Sequence, residues 1–170
     1  MKRLTLFFAL LLTFSFSTTF ADDPSEGKTA DQDIVDLAVS TDMLSTLVSA
    51  VKQGELVETL KGDGPFTVFA PTNAAFEALP EGVLKLLLMP ENKDKLVKVL
   101  TYHVVPGSIT SDKLTDGQMA QTAEGSDVVV TKKSGGVNIN NAEVIKANIE
   151  ASNGVVHVID KVLLPADFKL

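Results

Sequence analysis

The chain of 170 residues contains no cysteine, only two histidines and a single tyrosine. The lack of cysteine excludes a disulfide framework, a thiolate nucleophile, and zinc or iron–sulfur sites that depend on cysteine ligands. Hydrophobic residues nevertheless make up 45% of the sequence and charged residues 22%. This balance predicts one folded domain rather than a disordered chain.

The first 21 residues have the pattern of a secretory signal peptide. Two basic residues precede an apolar stretch from Leu4 to Phe16, and a short polar exit ends at Ala21. The apolar stretch is shorter than the about 20 residues that a membrane span needs, and Thr and Ser residues interrupt it. We therefore predict a cleaved signal peptide at 1–21, a flexible segment at 22–31, no membrane span in the mature chain, and secretion or a periplasmic location.

The predicted mature chain, 22–170, contains no arginine, because Arg3 is the only one in the sequence. It carries 13 lysines against 22 acidic residues, a net charge of −9. Arginine supplies most bidentate contacts to phosphates and guanines, so an acidic domain without it is poorly suited to nucleic acid or to anionic lipid. The charge therefore predicts that nucleic acid is not a partner.

A helical first part is followed by a second part rich in strands. Apolar residues at helical spacing predict helices between Asp33 and Leu60, from Thr72, and at 82–88 and 92–100, with Thr41 as a helix cap and Gly54 as a stop. Phe66 to Ala70 forms a buried strand that must pair with strands late in the chain. Those later strands are predicted at 101–105, 119–122, 127–132, 136–140, 142–150 and 154–164. The layout is α+β.

Sequence patterns for catalysis, cofactors and metals are missing, including the phosphate-binding loops, the nucleophile elbow and the zinc-protease motif. Asp31, Asp33 and Asp36 lack the spacing of a calcium loop and are interpreted as a solvated helix start. His103 and His157 are predicted inside apolar strands as buried, neutral, hydrogen-bonded residues. We therefore predict no catalytic residue, no cofactor and no metal, and a protein that is not an enzyme.

Three segments occur in a recognisable order: FTVFAPTNAAFEALP at 66–80, YHVVPG at 102–107 and ASNGVVHVIDKVLLP at 151–165. Together they resemble the signature segments of the fasciclin domain, the fasciclin-I type adhesion module, and the chain is similar to single-domain bacterial secreted members. The resemblance implies one fasciclin-like domain at 32–167. Its fold would be a wedge-shaped β-sandwich of about seven strands with helices packed along it.

The same resemblance suggests roles for individual residues. Those with an implied structural role are Phe69, Pro71, Thr72, Asn73, Phe76, Gly154 and His157. In animal relatives the Tyr-His segment is associated with integrin contact, and Tyr102, His103 and Val104 occupy the matching places. An acidic residue followed by isoleucine has a similar association, but the matching pair here is Asn148-Ile149. The resemblance also makes Asn73 a candidate partner for His103.

We interpret the chain as a non-enzymatic exported interaction module for cell adhesion or for cell-surface and matrix association. Its expected partner is a surface or matrix protein or polysaccharide. An integrin is not expected, since Asn148 replaces the carboxylate that would bind a receptor-held metal. The alternative is an extracytoplasmic small-ligand-binding domain with a cleft between helices and sandwich. A deep apolar cavity would favour the ligand binder, and a long exposed apolar patch would favour the interaction module.

Overall fold

The computed structural model describes residues 32–80, 82–133, 135–166 and 168. The predicted signal peptide and the segment 22–31 lie outside the described residues. The helices are α1 (Ile34–Val39), α2 (Ser45–Gln53), α3 (Val57–Lys61), α4 (Asn73–Glu77), α5 (Val83–Leu87) and α6 (Lys93–Tyr102), with short 3-10 turns at Asp42–Leu44 and Pro90–Asn92. The strands are β1 (Phe66–Pro71), β2 (Val104–Pro106), β3 (Met119–Gln121), β4 (Asp127–Lys133), β5 (Gly136–Ile139), β6 (Ala142–Ala151) and β7 (Gly154–Ile159).

A side-chain cap begins α1, the first helix. The Asp33 carboxylate accepts hydrogen bonds from the amides of Val35 and Asp36, at 2.9 and 2.8 Å, and so satisfies two orphan donors of α1. Gly54 follows the last residue of α2, as predicted. Thr41 occupies the N-cap position of the 3-10 turn Asp42–Leu44, as predicted, but its side chain forms no cap bond. Its hydroxyl instead donates backwards to the carbonyl of Leu37 at 2.9 Å.

The seven strands form one sheet in the order β2-β1-β7-β6-β5-β4-β3. Neighbouring strands are antiparallel except β1 and β7, which run parallel from Phe66 opposite Gly154 to Pro71 opposite Ile159. The sheet nearly closes on itself, because the carbonyl of Val104 in β2 accepts from the amide of Ala123, just after β3, at 2.7 Å. The α+β class, the seven strands and the pairing of β1 with a late strand are confirmed.

The central strands separate two hydrophobic cores. Since alternate residues of a strand project from opposite faces, Val68 and Val156 point towards the helices, where α1, α2 and α6 contribute Ile34, Leu47 and Leu100. On the other face Phe69 and Ile159 pack among residues of β4, β5 and the loop before β3: Leu114, Val128, Val130 and Ile139. The helices therefore cover one face of the β1–β7 centre, and the curled remainder of the sheet covers the other.

Two predicted strands differ from the structure by more than one residue. Residues 101–105 were predicted as a strand, but α6 continues through Tyr102 and His103 is its C-cap. Leu96, Val99 and Leu100 extend the buried helical face up to this point, so helix packing overrides the strand preference of the aromatic and β-branched residues. The predicted strand at 154–164 ends at Ile159.

Asn153, in the hairpin loop between β6 and β7, connects three elements. Its side-chain oxygen accepts from the amide of Ile34 at 3.1 Å, at the start of α1. Its side-chain nitrogen donates to the carbonyls of Leu60 and Gly62, at 2.7 and 3.2 Å, at the end of α3. Its own carbonyl accepts from the amide of Phe66, at 3.0 Å, where β1 begins. The loop residue therefore positions the helices on the sheet.

Asn153→Asp is expected to lower the free energy of unfolding by about 2 kcal/mol. The carboxylate keeps the acceptor for Ile34 but loses both donors, and it places a negative charge beside two carbonyl oxygens. Urea unfolding measures the change. Asn141→Asp, in an exposed turn, is the matched control and should stay within about 0.5 kcal/mol. Equal effects of the two substitutions would contradict the role of Asn153.

Candidate functional site

The Tyr-His-Val segment lies inside the protein at the junction of α6 and β2. Tyr102, His103 and Val104 are only 5%, 2% and 7% exposed. The Tyr102 hydroxyl donates to the carbonyl of Asp127 at 3.3 Å and accepts from the side-chain amide of Asn140 at 3.1 Å. This tyrosine therefore ties the end of α6 to β4 and to the turn after β5, and a partner approaching the surface does not meet its ring.

Both ring nitrogens of His103 are bonded to the main chain. Nδ1 donates to the carbonyl of Val99 at 2.7 Å, and Nε2 accepts from the amide of Leu163 at 2.9 Å. A carbonyl only accepts, so this pattern fixes a neutral ring with its proton on Nδ1. Burial lowers the pKa of His103 to about 4, although the bond to Val99 opposes the change. His103 is buried and neutral as predicted, but its place in a strand was wrong.

The predicted contact between Asn73 and His103 does not occur. The side-chain oxygen of Asn73 accepts from the amide of Thr46 at 2.9 Å, and its nitrogen donates to the carbonyl of Asp42 at 3.0 Å. Asn73 is thus a cap supplied from a distance to the start of α2. It is available for this because Thr72 already caps its own helix by accepting from the amide of Ala75.

The remaining signature residues surround the centre of the sheet. Pro71 is the last residue of β1, and Phe76 of α4 is buried in the helix-side core. Phe69 of β1 stacks on the ring of His157 of β7, with centroids 5.8 Å apart. Gly154, the first residue of β7, lies directly opposite Phe66. Each of these residues has a packing role in the structure.

His157 and Asn148 together hold the loop that follows β2. His157 Nε2 donates to the carbonyl of Ile109 at 2.8 Å, and Nδ1 accepts from the amide of Asn148 at 3.3 Å. The Asn148 side chain accepts from the amide of Ser111 at 2.7 Å and donates to its hydroxyl at 2.8 Å. Burial lowers the pKa of His157, against the effect of the bond to Ile109. The ring is therefore neutral, with its proton on Nε2.

The Asn148-Ile149 pair lies at an irregularity of β6. The strand register shifts between Lys146 and Ile149, and Asn148 has a φ of 56°, in a region that asparagine tolerates better than most residues. Asn148 is exposed, whereas Ile149 is half-buried and packs against the helix-side core. Of the five residues associated with interaction, Asn148 alone presents an exposed side chain.

The space between helices and sheet is small. It has a volume of about 30 Å³ and an almost wholly apolar lining that includes Ile34, Leu47, Val51, Leu60 and Val68. Sites for small molecules are typically about 300–1,000 Å³. The cavity therefore has room for one or two water molecules, and its apolar walls favour an empty state.

Two larger clefts open on the surface. One, of about 740 Å³, lies beside the β6–β7 loop, and its charged lining residues are Asp33, Lys61, Asp63 and Glu150. The other, of about 470 Å³, lies where β4 ends and β5 begins. Lys132 and Lys133 line this second cleft. No motif in the sequence marks these two lysines, and their one signal is the lysine pair itself ahead of Ser-Gly-Gly.

Exposed apolar side chains are scattered over the described surface. Met119 of β3, 63% exposed, faces Val129 of β4 across the two strands. Ile145 of β6 is 54% exposed.

In the part of the chain that the structure describes, no group of three or more histidines or carboxylates is arranged to hold a metal ion. None of the helices in that part has the length and apolar character to span a membrane.

The curled seven-stranded sheet, its helical cover and the internal bonding of the signature residues define an α+β domain in which these residues maintain the fold. The sequence model of the Fasciclin domain matches residues 42–165. The chain belongs to the fasciclin domain family.

Relatives occur in bacteria and animals. The chain is 57% identical over 132 residues to Protein sll1483 of Synechocystis sp., covering 78% of this chain and 73% of that protein. It is 35% identical over 148 residues to Immunogenic protein MPB70 of Mycobacterium bovis, covering 84% and 74%. Identity to the transforming growth factor-beta-induced protein ig-h3 of Oryctolagus cuniculus is 37% over 132 residues, covering 78% of this chain but only 19% of that protein.

A solved structure with the same fold is a FAS1 domain pair from the insect cell adhesion molecule Fasciclin I. The TM-score is 0.71 at 20% sequence identity, and the match covers 79% of this chain and 51% of that chain. This likeness concerns the fold.

Proposed function

We propose that the chain is a non-enzymatic, exported interaction module for adhesion or for cell-surface and matrix association. The observation that carries the proposal is that the side chains best suited to acid–base chemistry are used inside the fold. In both His103 and His157, each ring nitrogen forms a hydrogen bond with a main-chain atom. The Tyr102 hydroxyl forms two hydrogen bonds. A catalytic group needs to reach a substrate, and these groups already have internal partners.

Further support comes from the fold, which is shared with a domain pair of a cell adhesion molecule. The alternative, an extracytoplasmic small-ligand-binding domain, receives less support. The cavity between helices and sheet, about 30 Å³, is roughly a tenth of the smallest typical ligand site. We propose as partner a surface or matrix protein or polysaccharide, with no nucleic acid.

Export is proposed from the pattern of residues 1–21. A single domain at 32–167 is also proposed, although the family match begins at residue 42. The extension towards the N-terminus is supported by α1, whose residues Ile34 and Leu37 are buried. Ile34 belongs to the helix-side core, and its amide is bonded to Asn153.

The proposal predicts saturable retention of the exported protein on native cell-envelope or matrix material. Cells expressing the full chain would be fractionated, and protein recovered outside the cytoplasm would be checked by intact mass for loss of residues 1–21. Retention would then be measured by co-sedimentation at increasing protein concentration. An unrelated acidic domain of similar size and charge is the control. Retention no greater than that of the control would overturn the proposed function, and a cytoplasmic, uncleaved product would overturn export.

A further inference from the structure

The cleft at the end of the β4–β5 hairpin is lined by basic residues, with no acidic one among its described lining residues. Its lining includes Lys132 and Lys133 from β4, Gly135 from the turn, Ile145 from β6, and Ser111 from the loop that Asn148 holds. Among the described residues that line it, the only charged ones are the two lysines. We refer to it as the lysine cleft.

This local charge is opposite in sign to that of the predicted mature chain, which carries −9. In the larger cleft, the single cation Lys61 lies within 3.1 Å of both Asp33 and Asp36 and is thereby neutralised. Within the described part of the chain, neither Lys132 nor Lys133 forms an ion pair. Their ammonium groups are therefore available to a partner.

Two carboxylates lie near the lysine cleft but do not line it. Asp116 accepts a hydrogen bond from the main-chain amide of Lys132 at 2.8 Å. Glu143 of β6 lies beside Gly136, where its oxygen would be 3.6 Å from an added Cβ atom. These groups limit the strength of the local positive field, so the expected binding depends on close contact with the lysines.

The geometry suits an extended anionic ligand. Lys132 and Lys133 both line the cleft where the strand ends, so they offer two separate charges, which match anionic groups spaced along a chain better than one compact anion. Gly135 has a φ of 101°, and nothing lies within 4 Å of where a Cβ would project, so the turn leaves room for a ligand. Ile145, 54% exposed, adds an apolar contact on which the face of a sugar ring could pack.

We propose that the lysine cleft binds an acidic polysaccharide, a polymer bearing carboxylate or sulfate groups. The inference rests on the proposed function and assigns its surface contact to this cleft. The described cleft lining contains no aromatic side chain on which a nucleic-acid base could stack. This feature favours carboxylate or sulfate groups on sugars over nucleic acid.

The negative net charge of the whole protein and the positive charge of the two lysines together predict a characteristic dependence of binding on salt. At about 0.01 M salt the Debye length is about 30 Å, so the net charge of the whole protein repels the polymer. At about 0.1 M the Debye length falls to about 10 Å, which screens distant carboxylates more than the lysines in contact. At about 1 M the close contacts are screened as well. Affinity should therefore pass through a maximum at intermediate salt.

The test compares purified protein with two double variants of equal charge change. Lys132→Gln with Lys133→Gln alters the cleft, whereas Lys52→Gln with Lys85→Gln alters exposed helix positions elsewhere. Binding to polygalacturonate, dextran sulfate, polyglutamate and neutral dextran would be measured by calorimetry across the salt range. The cleft variant should bind the charged polymers about tenfold more weakly. The helix variant should change less than about twofold, and dextran should not bind.

Each outcome bears on the proposal. The carboxylate and sulfate polymers are separate arms, and cleft-dependent binding of either one supports the inference and identifies the anionic group. Equal losses in both variants would overturn it, since net charge alone would then explain binding. Lysine-dependent binding of polyglutamate but of neither polysaccharide would overturn it in favour of an acidic protein. If no polymer binds while retention on native envelope persists, the assignment of binding to the lysine cleft is wrong and the proposed function stands.

Discussion

Replacing Gly154 with alanine is expected to lower the free energy of unfolding by about 3 kcal/mol or more. An added Cβ would collide with the carbonyl oxygen of Phe66 and would lie 2.9 Å from Cδ1 of Ile34. The carbonyl belongs to the neighbouring strand of the parallel pair, so it cannot move away without disturbing the register of β1 and β7. Side-chain rearrangement cannot relieve such a clash.

Gly136→Ala is the matched control, because Gly136 also begins a strand. There an added Cβ would meet only the side-chain oxygen of Glu143, at an ordinary 3.6 Å. Its effect should stay within about 0.5 kcal/mol. Urea unfolding of both variants gives the midpoints and slopes needed. Similar destabilisation by the two substitutions would contradict the close approach at Gly154.

Lowering the pH from about 7 to about 4 is expected to remove about 3 kcal/mol of stability through His103. In the unfolded chain this histidine has an ordinary pKa near 6.5, whereas burial holds the pKa at about 4 in the folded protein. Between these values the unfolded chain binds more protons, so acid favours unfolding. The contribution of His103 to the free energy of unfolding is complete above about pH 6.5. It falls towards pH 4, by up to about 1.4 kcal/mol for each pH unit.

Three other groups with lowered pKa values also contribute to the pH dependence of stability. His157, whose pKa burial also lowers, adds to the loss with the same sign. The pKa of Asp33 is below its ordinary value despite the opposing effect of burial, because the Asp36 amide and Lys61 favour its charged form. Hydrogen bonds within the Ser126 turn similarly lower the pKa of Glu124. These carboxylates lose their contribution at lower pH than the histidines, so the upper part of the window reports the histidines.

His103→Gln isolates the titration from the hydrogen bonds. A glutamine amide offers a donor and an acceptor but does not take up a proton in this range. Unfolding free energies at pH 7, 6, 5 and 4.5 should show a lower starting stability for the variant and a distinctly flatter pH dependence. His157→Gln serves as the comparison. An unchanged pH slope in His103→Gln would contradict the assignment.

Elements that depend on local sequence were predictable. The strand at Phe66–Ala70 is a run of aromatic and β-branched residues that Pro71 closes, and the Asn153-Gly154 pair marks the β6–β7 hairpin. The Tyr102-His103 pair was placed in a strand because its own residues favour one. The helix persists there because the apolar spacing of Leu96, Val99 and Leu100 continues across the boundary, which shows tertiary packing overriding local preference.

The contacts of polar side chains were not predictable from spacing. The amide of Asn73 reaches the start of α2, and that of Asn148 reaches Ser111. An amide side chain forms hydrogen bonds with the groups that the fold brings near it. The spacing of residues along the sequence does not indicate which groups those are. The lysine cleft was missed for a related reason. Only the pairing of β5 with β4 and β6 brings Lys133 and Ile145 to one opening.

The parallel pairing of β1 with β7 also makes the fold depend on complete synthesis. During synthesis the N-terminal part of the chain is made first, so β1 at residues 66–71 is present early. The strand that lies beside it in the sheet is made only at 154–159. Until then the helix-side core lacks Val156 and Val158, the β7 residues on which the helices pack. Contacts so distant in sequence form late and slowly. Translation products that stop before Gly154 therefore cannot assemble the sheet centre and remain open to proteases, so the last strand distinguishes finished chains from unfinished ones.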